Sequence, residues 1–249
     1  MAEFDLFTSN PRVTVRRGGA PDPDGRCVVY WMQRAQRALD NPALDVAVEV
    51  ANALRQPVVI FFAPVPFYPH ANLRHYAFLA QGIPDIADRA RKRGIGFVLR
   101  SFPEHSLVKF CDEVKASLVV GDENPMREPR HWREVAAKKL TIPLWSVDAD
   151  VIVPSKLLEK EQYAARIIRP RLQQRLEEFA AAPRNPMAKV EWQAPRGLAA
   201  LPDDGSIDIT AGWKDLDRTV RPVDFFRGGT AEALKLLNQF VKSKLATYP

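Results

Sequence analysis

Apolar and polar positions along this chain alternate between two periods. Short continuous apolar runs (Val28–Met32, Pro57–Ala63, Phe97–Leu99, Leu118–Val120 and Leu144–Val147) read as buried strands. Between them lie stretches with apolar residues at helical spacing. Asn41 can cap a helix with Pro42 at its first position, and Leu44, Ala47, Val48, Ala51 and Leu54 then share one face. Further helices are predicted over Leu73–Arg93, Ser106–Lys115 and Pro129–Lys139. Strands alternating with helices predict a parallel sheet covered on both faces, so the expectation is an α/β, Rossmann-like, doubly wound five-stranded sheet over residues 26–150.

Outside that region the pattern weakens. Residues 1–25, with Gly and Pro scattered and little apolar periodicity beyond Val13 and Val15, read as a flexible leading segment. Residues 151–181 form a basic helical extension, with a helix over Tyr163–Ala181 interrupted or re-aimed at Pro170. Residues 182–227, rich in Pro and Gly, read as an extended linker, and residues 228–249 carry a closing helix whose stripe is Leu234, Leu237, Phe240 and Val241. The expectation is therefore a sheet domain with a helix–linker–helix extension.

Composition narrows this modestly. The 249 residues are 46% hydrophobic and 27% charged, as in an ordinary globular protein. No apolar run reaches the roughly 20 residues needed to span a bilayer, and Glu3 and Asp5 argue against a signal peptide. The expected location is cytoplasmic, with no membrane partner. Cys27 and Cys111, one in a strand and one in a helix, read as free thiols. A net charge of +6 permits phosphate contacts but does not require them.

Candidate chemistry gathers where an α/β sheet binds ligands, at the carboxyl ends of its strands. No Gly-x-Gly-x-x-Gly and no P-loop is present, so side chains and helix N-termini must hold any ligand. After the first apolar run come Tyr30, Trp31 and Met32 and a loop with Arg34, Gln36 and Arg37, suited to a planar ligand with polar edges. An equally good reading has the rings finishing the core and the arginines bonding loop carbonyls or a carboxylate. A second loop, Gly121 to Arg127, offers Asp122, Asn124, Met126 and Arg127; its bland reading is a turn with an Asp122–Arg127 ion pair. His70 and His75 lack a third metal ligand nearby, and the run Arg89–Arg93 reads as a solvated helix end.

The wording of these segments resembles class II cyclobutane-dimer DNA photolyases. Val28–Asn41 is similar to that family's "VVYWM-x-RDQR-x-x-DN-W-A-L", Asp122–Arg127 to "D-F-S-P-L-R", Val147–Pro154 to "V-D-x-x-x-V-V-P", and Tyr163–Arg171 to "E-Y-A-A-R-T-I-R-P-K". Phe226-Arg227-Gly228-Gly229 and the helix after it resemble the segment leading into the family's catalytic domain. Departures stand at Ala35, Pro42, Glu123, Asn124, Gln162 and Ile167, and those at Ala35 and Pro42 replace a carboxylate and an aromatic near the crest.

The resemblance implies an N-terminal α/β domain that holds an antenna pigment, with deazaflavin, FMN and folate as candidates. Tyr30, Trp31, Met32, Arg34, Gln36, Arg37, Asp122, Asn124, Met126 and Arg127 would be its chromophore-binding residues. Repair in that family is electron transfer from reduced FAD to a flipped pyrimidine dimer. The chain stops at Pro249, where the resemblance would begin the FAD-holding helical domain, so no FAD is expected in this chain and no catalytic residue is assigned. A separate FAD-bearing partner chain is implied, docked through Arg166, Arg169 and Arg171 with the linker and final helix, and DNA is met only indirectly. Two alternatives share the same core pattern: a non-photochemical ligand-binding or regulatory protein, and a truncated photolyase without independent activity.

Overall fold

A computed structural model describes residues 2–158, 160–198 and 207–248. In chain order the elements are α1 (Ala2–Thr8), β1 (Val13–Arg17), β2 (Cys27–Trp31), α2 (Pro42–Leu54), β3 (Val58–Phe62), α3 (Leu73–Lys92), β4 (Gly96–Leu99) and α4 (Leu107–Val114). Then follow β5 (Ala116–Asp122), α5 (Arg127–Lys139), β6 (Leu144–Val147), α6 (Ala165–Phe179) and α7 (Thr230–Ser243). The sheet has six strands in the order β1-β6-β5-β2-β3-β4. β2 to β6 are parallel, and β1 pairs antiparallel with β6. The chain winds outward from β2 in one direction through β3 and β4, then returns to wind the other way through β5 and β6. The order therefore reverses between β2 and β5, which places the ligand crevice of such a sheet at their carboxyl ends.

Both faces are covered, which is why the central strands read as unbroken apolar runs. Val28, Tyr30, Val58, Ile60, Leu118 and Val120 face α2 and α3. Their neighbours Val29, Val59, Phe61 and Val119 face α4 and α5, where Phe61 stacks on Phe110 at 4.4 Å. Asn41 caps α2 by accepting from the amides of Ala43 and Leu44, with Pro42 at the first position.

Four expectations change. The sheet has a sixth strand, because residues 13–17, expected in a flexible segment, pair with β6 from Val13↔Val147 to Arg17↔Leu144, with a bulge after Val15. An edge strand of five residues with one solvated face carries almost no periodic signal, and its partner lies more than 120 residues away. Arg93, expected on a solvated helix end, is 4% exposed and bonds Asp45 at 2.9 Å and the carbonyls of Ala38 and Pro186. α6 runs through Pro170 without interruption.

Within the segment expected to be an extended linker, residues 185–192 and 209–216 lie against the domain. Asn185 bonds Asp40, Ala188 bonds the Arg93 carbonyl, and Asn52 bonds both Met187 and Lys189. The Trp192 ring lies on Gly96, where a Cβ would come within 2.3 Å of it. Farther on, Ile209, Trp213 and Leu216 are buried in the core beside α2 and α3, with Trp213 edge-on to Tyr76 at 5.0 Å. Cys27 and Cys111 are buried free thiols. Among the described residues no helix is long and apolar enough to cross a membrane.

Candidate functional site

The crevice between the ends of β2 and β5 is occupied by the protein's own groups. Asp122, the last residue of β5, accepts hydrogen bonds through Oδ2 from the amides of Gln33, Arg34 and Ala35 at 2.9, 2.6 and 2.9 Å. Its Oδ1 accepts from the Tyr30 hydroxyl at 2.6 Å. The Asn41 amide nitrogen donates to the Tyr30 oxygen and to the carbonyls of Ala35 and Arg37. One carboxylate and one carboxamide thus satisfy most of the polar backbone of the turn after β2. Burial pushes the Asp122 carboxyl up from its ordinary value, and its four donors pull against that rise. Burial, and then the Asp122 charge, push the Tyr30 hydroxyl well above its ordinary value, so it remains a neutral donor.

A second carboxylate closes the loop from above. Asp150, after β6, bonds Arg34 Nε at 2.8 Å and Arg37 Nη1 at 2.9 Å, and Arg37 also donates to the Ala149 carbonyl. Glu123 collects Arg16, the Ser146 hydroxyl and Arg133, whose side chain is 2% exposed. Burial alone would raise the Glu123 carboxyl, but Ser146 and the two guanidiniums hold it below its ordinary value.

These bonds sort the ten crest residues singled out in the sequence. Tyr30, Met32 and Asp122 are buried and build the loop from within. Asn124 is buried too and turns its Oδ1 onto the Met126 amide. Arg34 and Arg37 are engaged by Asp150. Trp31 is half-buried, while Gln36, Met126 and Arg127 are exposed. Asp122 takes its four bonds from β2 and the turn after it, so the Asp122–Arg127 pair of the bland reading is not formed. Arg166, Arg169 and Arg171 are exposed along α6 and make no ion pair among the described residues.

The sequence reading missed a cluster of rings contributed by segments that follow β3, β4 and β5. Phe67, after β3, meets Phe102, His105 and Trp132 at centroid distances of 5.9, 5.7 and 6.2 Å, and Tyr68 meets Trp132 at 5.9 Å. The loops after β3 and β4 and the helix after β5 contribute one part each. Phe67 and Tyr68 are 52% and 40% exposed, and Phe102 is 38% exposed, so the cluster is a surface feature. The available signal was that aromatic residues follow successive strands at the same end of the sheet; their convergence needed the strand order. A cleft of about 670 Å³ lies elsewhere, between α3 and residues 207–232, rimmed by Asp208, Asp224 and Glu232.

A family model described as DNA photolyase matches residues 28–190. The chain is 35% identical over 246 residues to the deoxyribodipyrimidine photo-lyase of Methanothermobacter thermautotrophicus, covering 95% of this chain and 52% of that protein. It is 30% identical over 221 residues to the deoxyribodipyrimidine photo-lyase of Potorous tridactylus, covering 87% and 41%. A Synechocystis cryptochrome structure superposes with a TM-score of 0.58 at 14% identity, over 90% of this chain and 47% of that one, which shows a shared fold. The chain spans about half the length of the curated relatives it matches.

Proposed function

Because the chain belongs to the DNA photolyase family, we propose that it is the pigment-binding α/β part of a light-dependent DNA repair system, of the class II kind that its segment wording resembles. In this reading a planar antenna chromophore, a deazaflavin, FMN or a folate, binds at the sheet crest. Repair of cyclobutane pyrimidine dimers requires a FAD-bearing polypeptide, and this chain meets DNA only through it. Bound FAD supplies electron transfer to a flipped dimer. The part of this chain is to hold the pigment and orient it.

The observation that carries the reading is the exposed ring cluster of Phe67, Tyr68, Phe102, His105 and Trp132 at the ligand-binding end of the sheet. Aromatic edges and faces suit a planar pigment. α5 carries Trp132 and, at its first turn, the exposed Arg127, which suits a polar or anionic edge.

A second reading is favoured by the clasp itself. Asp122, Tyr30 and Asn41 satisfy one another, and Glu123 is held by Arg16, Ser146 and Arg133, so these four side chains are engaged within the protein. A non-photochemical binding or regulatory protein would keep this arrangement. Absorption spectra of the purified protein with deazaflavin, FMN, FAD and folate decide between them. Uptake that weakens in W132A and R127A supports the antenna reading; a folded sample that takes up none of the four removes it.

A further inference from the structure

Residues 184–192 form a strap whose Trp192 ring lies on Gly96 of β4, and its leading end reaches the crest. Asn185 and Asp40 bond each other twice. The Asp40 amide donates to Asn185 Oδ1, and Asn185 Nδ2 donates to Asp40 Oδ1, each at 2.8 Å. Both residues adopt the left-handed region, with φ of 52° at Asp40 and 47° at Asn185. Outside glycine that conformation is costly and persists where bonded neighbours hold it. The Asn185 amide also reaches Asp45 Oδ2, in the first turn of α2, at 3.3 Å.

Arg93 joins the same parts from inside. Its Nη1 donates to the Ala38 carbonyl of the loop after β2 at 2.6 Å, and its Nη2 to Asp45 at 2.9 Å. Nε and Nη2 both donate to the Pro186 carbonyl of the strap, at 3.1 and 2.8 Å. A buried guanidinium keeps its place only while its hydrogens are accepted. Departure of the strap removes the acceptor of Nε and one of the two acceptors of Nη2, so Arg93 turns toward water and gives up Ala38. Asn41, next to Asp40, donates to the Tyr30 oxygen and to the carbonyls of Ala35 and Arg37. A shift at Asp40 therefore passes into the rest of the loop.

We propose that seating of the strap sets the conformation of residues 33–41, and that Asn185 and Arg93 are thereby positioning residues for a planar pigment bound at the crest. The inference rests on the reading above in one respect, that the crest is where the pigment binds. Asp122 and Asp150 hold residues 33–37 of this loop. The strap holds its other end, at Ala38 and Asp40, from a point 145 positions further along the chain. Strap seating and pigment binding then share one coupling free energy. A bound pigment keeps the strap down, and loss of the strap weakens the pigment by the same factor.

The test uses the full 249-residue chain and the Asp40–Asn185 pair. N185D sets two carboxylates face to face, and D40N/N185D restores both bonds with the polarity exchanged, since Asn and Asp both tolerate the left-handed region. Circular dichroism should show both variants folded, because Asp40 is exposed and Asn185 half-buried. Without ligand, N185D should speed amide hydrogen exchange of residues 33–37, read by NMR, about fivefold or more, and the double variant should return it to the parent rate. Uptake of deazaflavin, FMN or folate, read by absorption, should weaken by a similar factor in N185D and recover in D40N/N185D. A pigment that the parent binds should also slow proteolysis within residues 184–192. Unchanged exchange in N185D, or faster exchange confined to Asp40, overturns the proposal. Uptake indifferent to N185D overturns it too, as does a double variant that behaves like N185D, which would make the effect one of surface charge rather than of pairing. A parent that takes up none of the three pigments removes the antenna reading, and hydrogen exchange then decides the coupling by itself.

Discussion

At the scale of single residues, Asp122 shows how far one buried carboxylate can organise a loop. Asp122→Ala removes the acceptor of three amides and one hydroxyl at once, so a loss of about 3–5 kcal/mol is expected in denaturant unfolding. Asp122→Asn keeps an acceptor for the amides and should lose less; equal losses would show that charge, not hydrogen-bond geometry, holds the loop. Glu123 gives the protein an acid limb. Its folded carboxyl is held below the ordinary 4.5, so the stability it adds is complete above that value and is lost as pH falls through the folded one. Melting curves below pH 4.5 should therefore fall more steeply in the parent than in E123Q, and parallel curves would contradict this. Burial pushes the Cys27 thiol up to about 12 and raises Cys111 as well. Neither should react with a thiol reagent until the protein unfolds, as a time course in denaturant would reveal.

At the scale of elements, the contacts between segments depend on absent side chains. Gly96 gives Trp192 room to lie on β4, and its Cβ in Gly96→Ala would sit 2.3 Å from the ring. The expected outcome is release of residues 184–192 from the domain, read as faster proteolysis there and a red shift of Trp emission, with about 1–3 kcal/mol lost. Unchanged cleavage would mean that the hydrogen bonds of Asn52, Arg93 and Asn185 hold the strap without the ring. α2 and β6 were legible because their patterns are local: a capped, amphipathic run and an apolar tetrad. β1 was not, because an edge strand is defined by its partner rather than by its own periodicity.

At the scale of the whole molecule, residues 207–216 close the core rather than lead away from it. Trp213→Ala should cost about 3–5 kcal/mol, as for a core aromatic, whereas a tryptophan on a free linker would cost almost nothing. Calorimetry on the variant distinguishes the two. α6 and α7 have no buried residue, so the sheet domain and these helices differ in how completely this chain covers them.

Sequence periodicity was enough to set the fold class, the five parallel strands and the helices between them, because each depends on burial of a local face. The segment wording was enough to point to the family. The role of each crest residue was decided only by tertiary structure. Tyr30 and Asp122 lie 92 positions apart, and nothing local distinguishes a carboxylate that waits for a ligand from one already bound by three amides. The ring cluster has the same origin. Phe67, Phe102 and Trp132 belong to different loops and helices, and the strand order β5-β2-β3-β4 brings them to one end of the sheet. A charge or a ring is visible in sequence, but its partner is chosen by the winding of the chain.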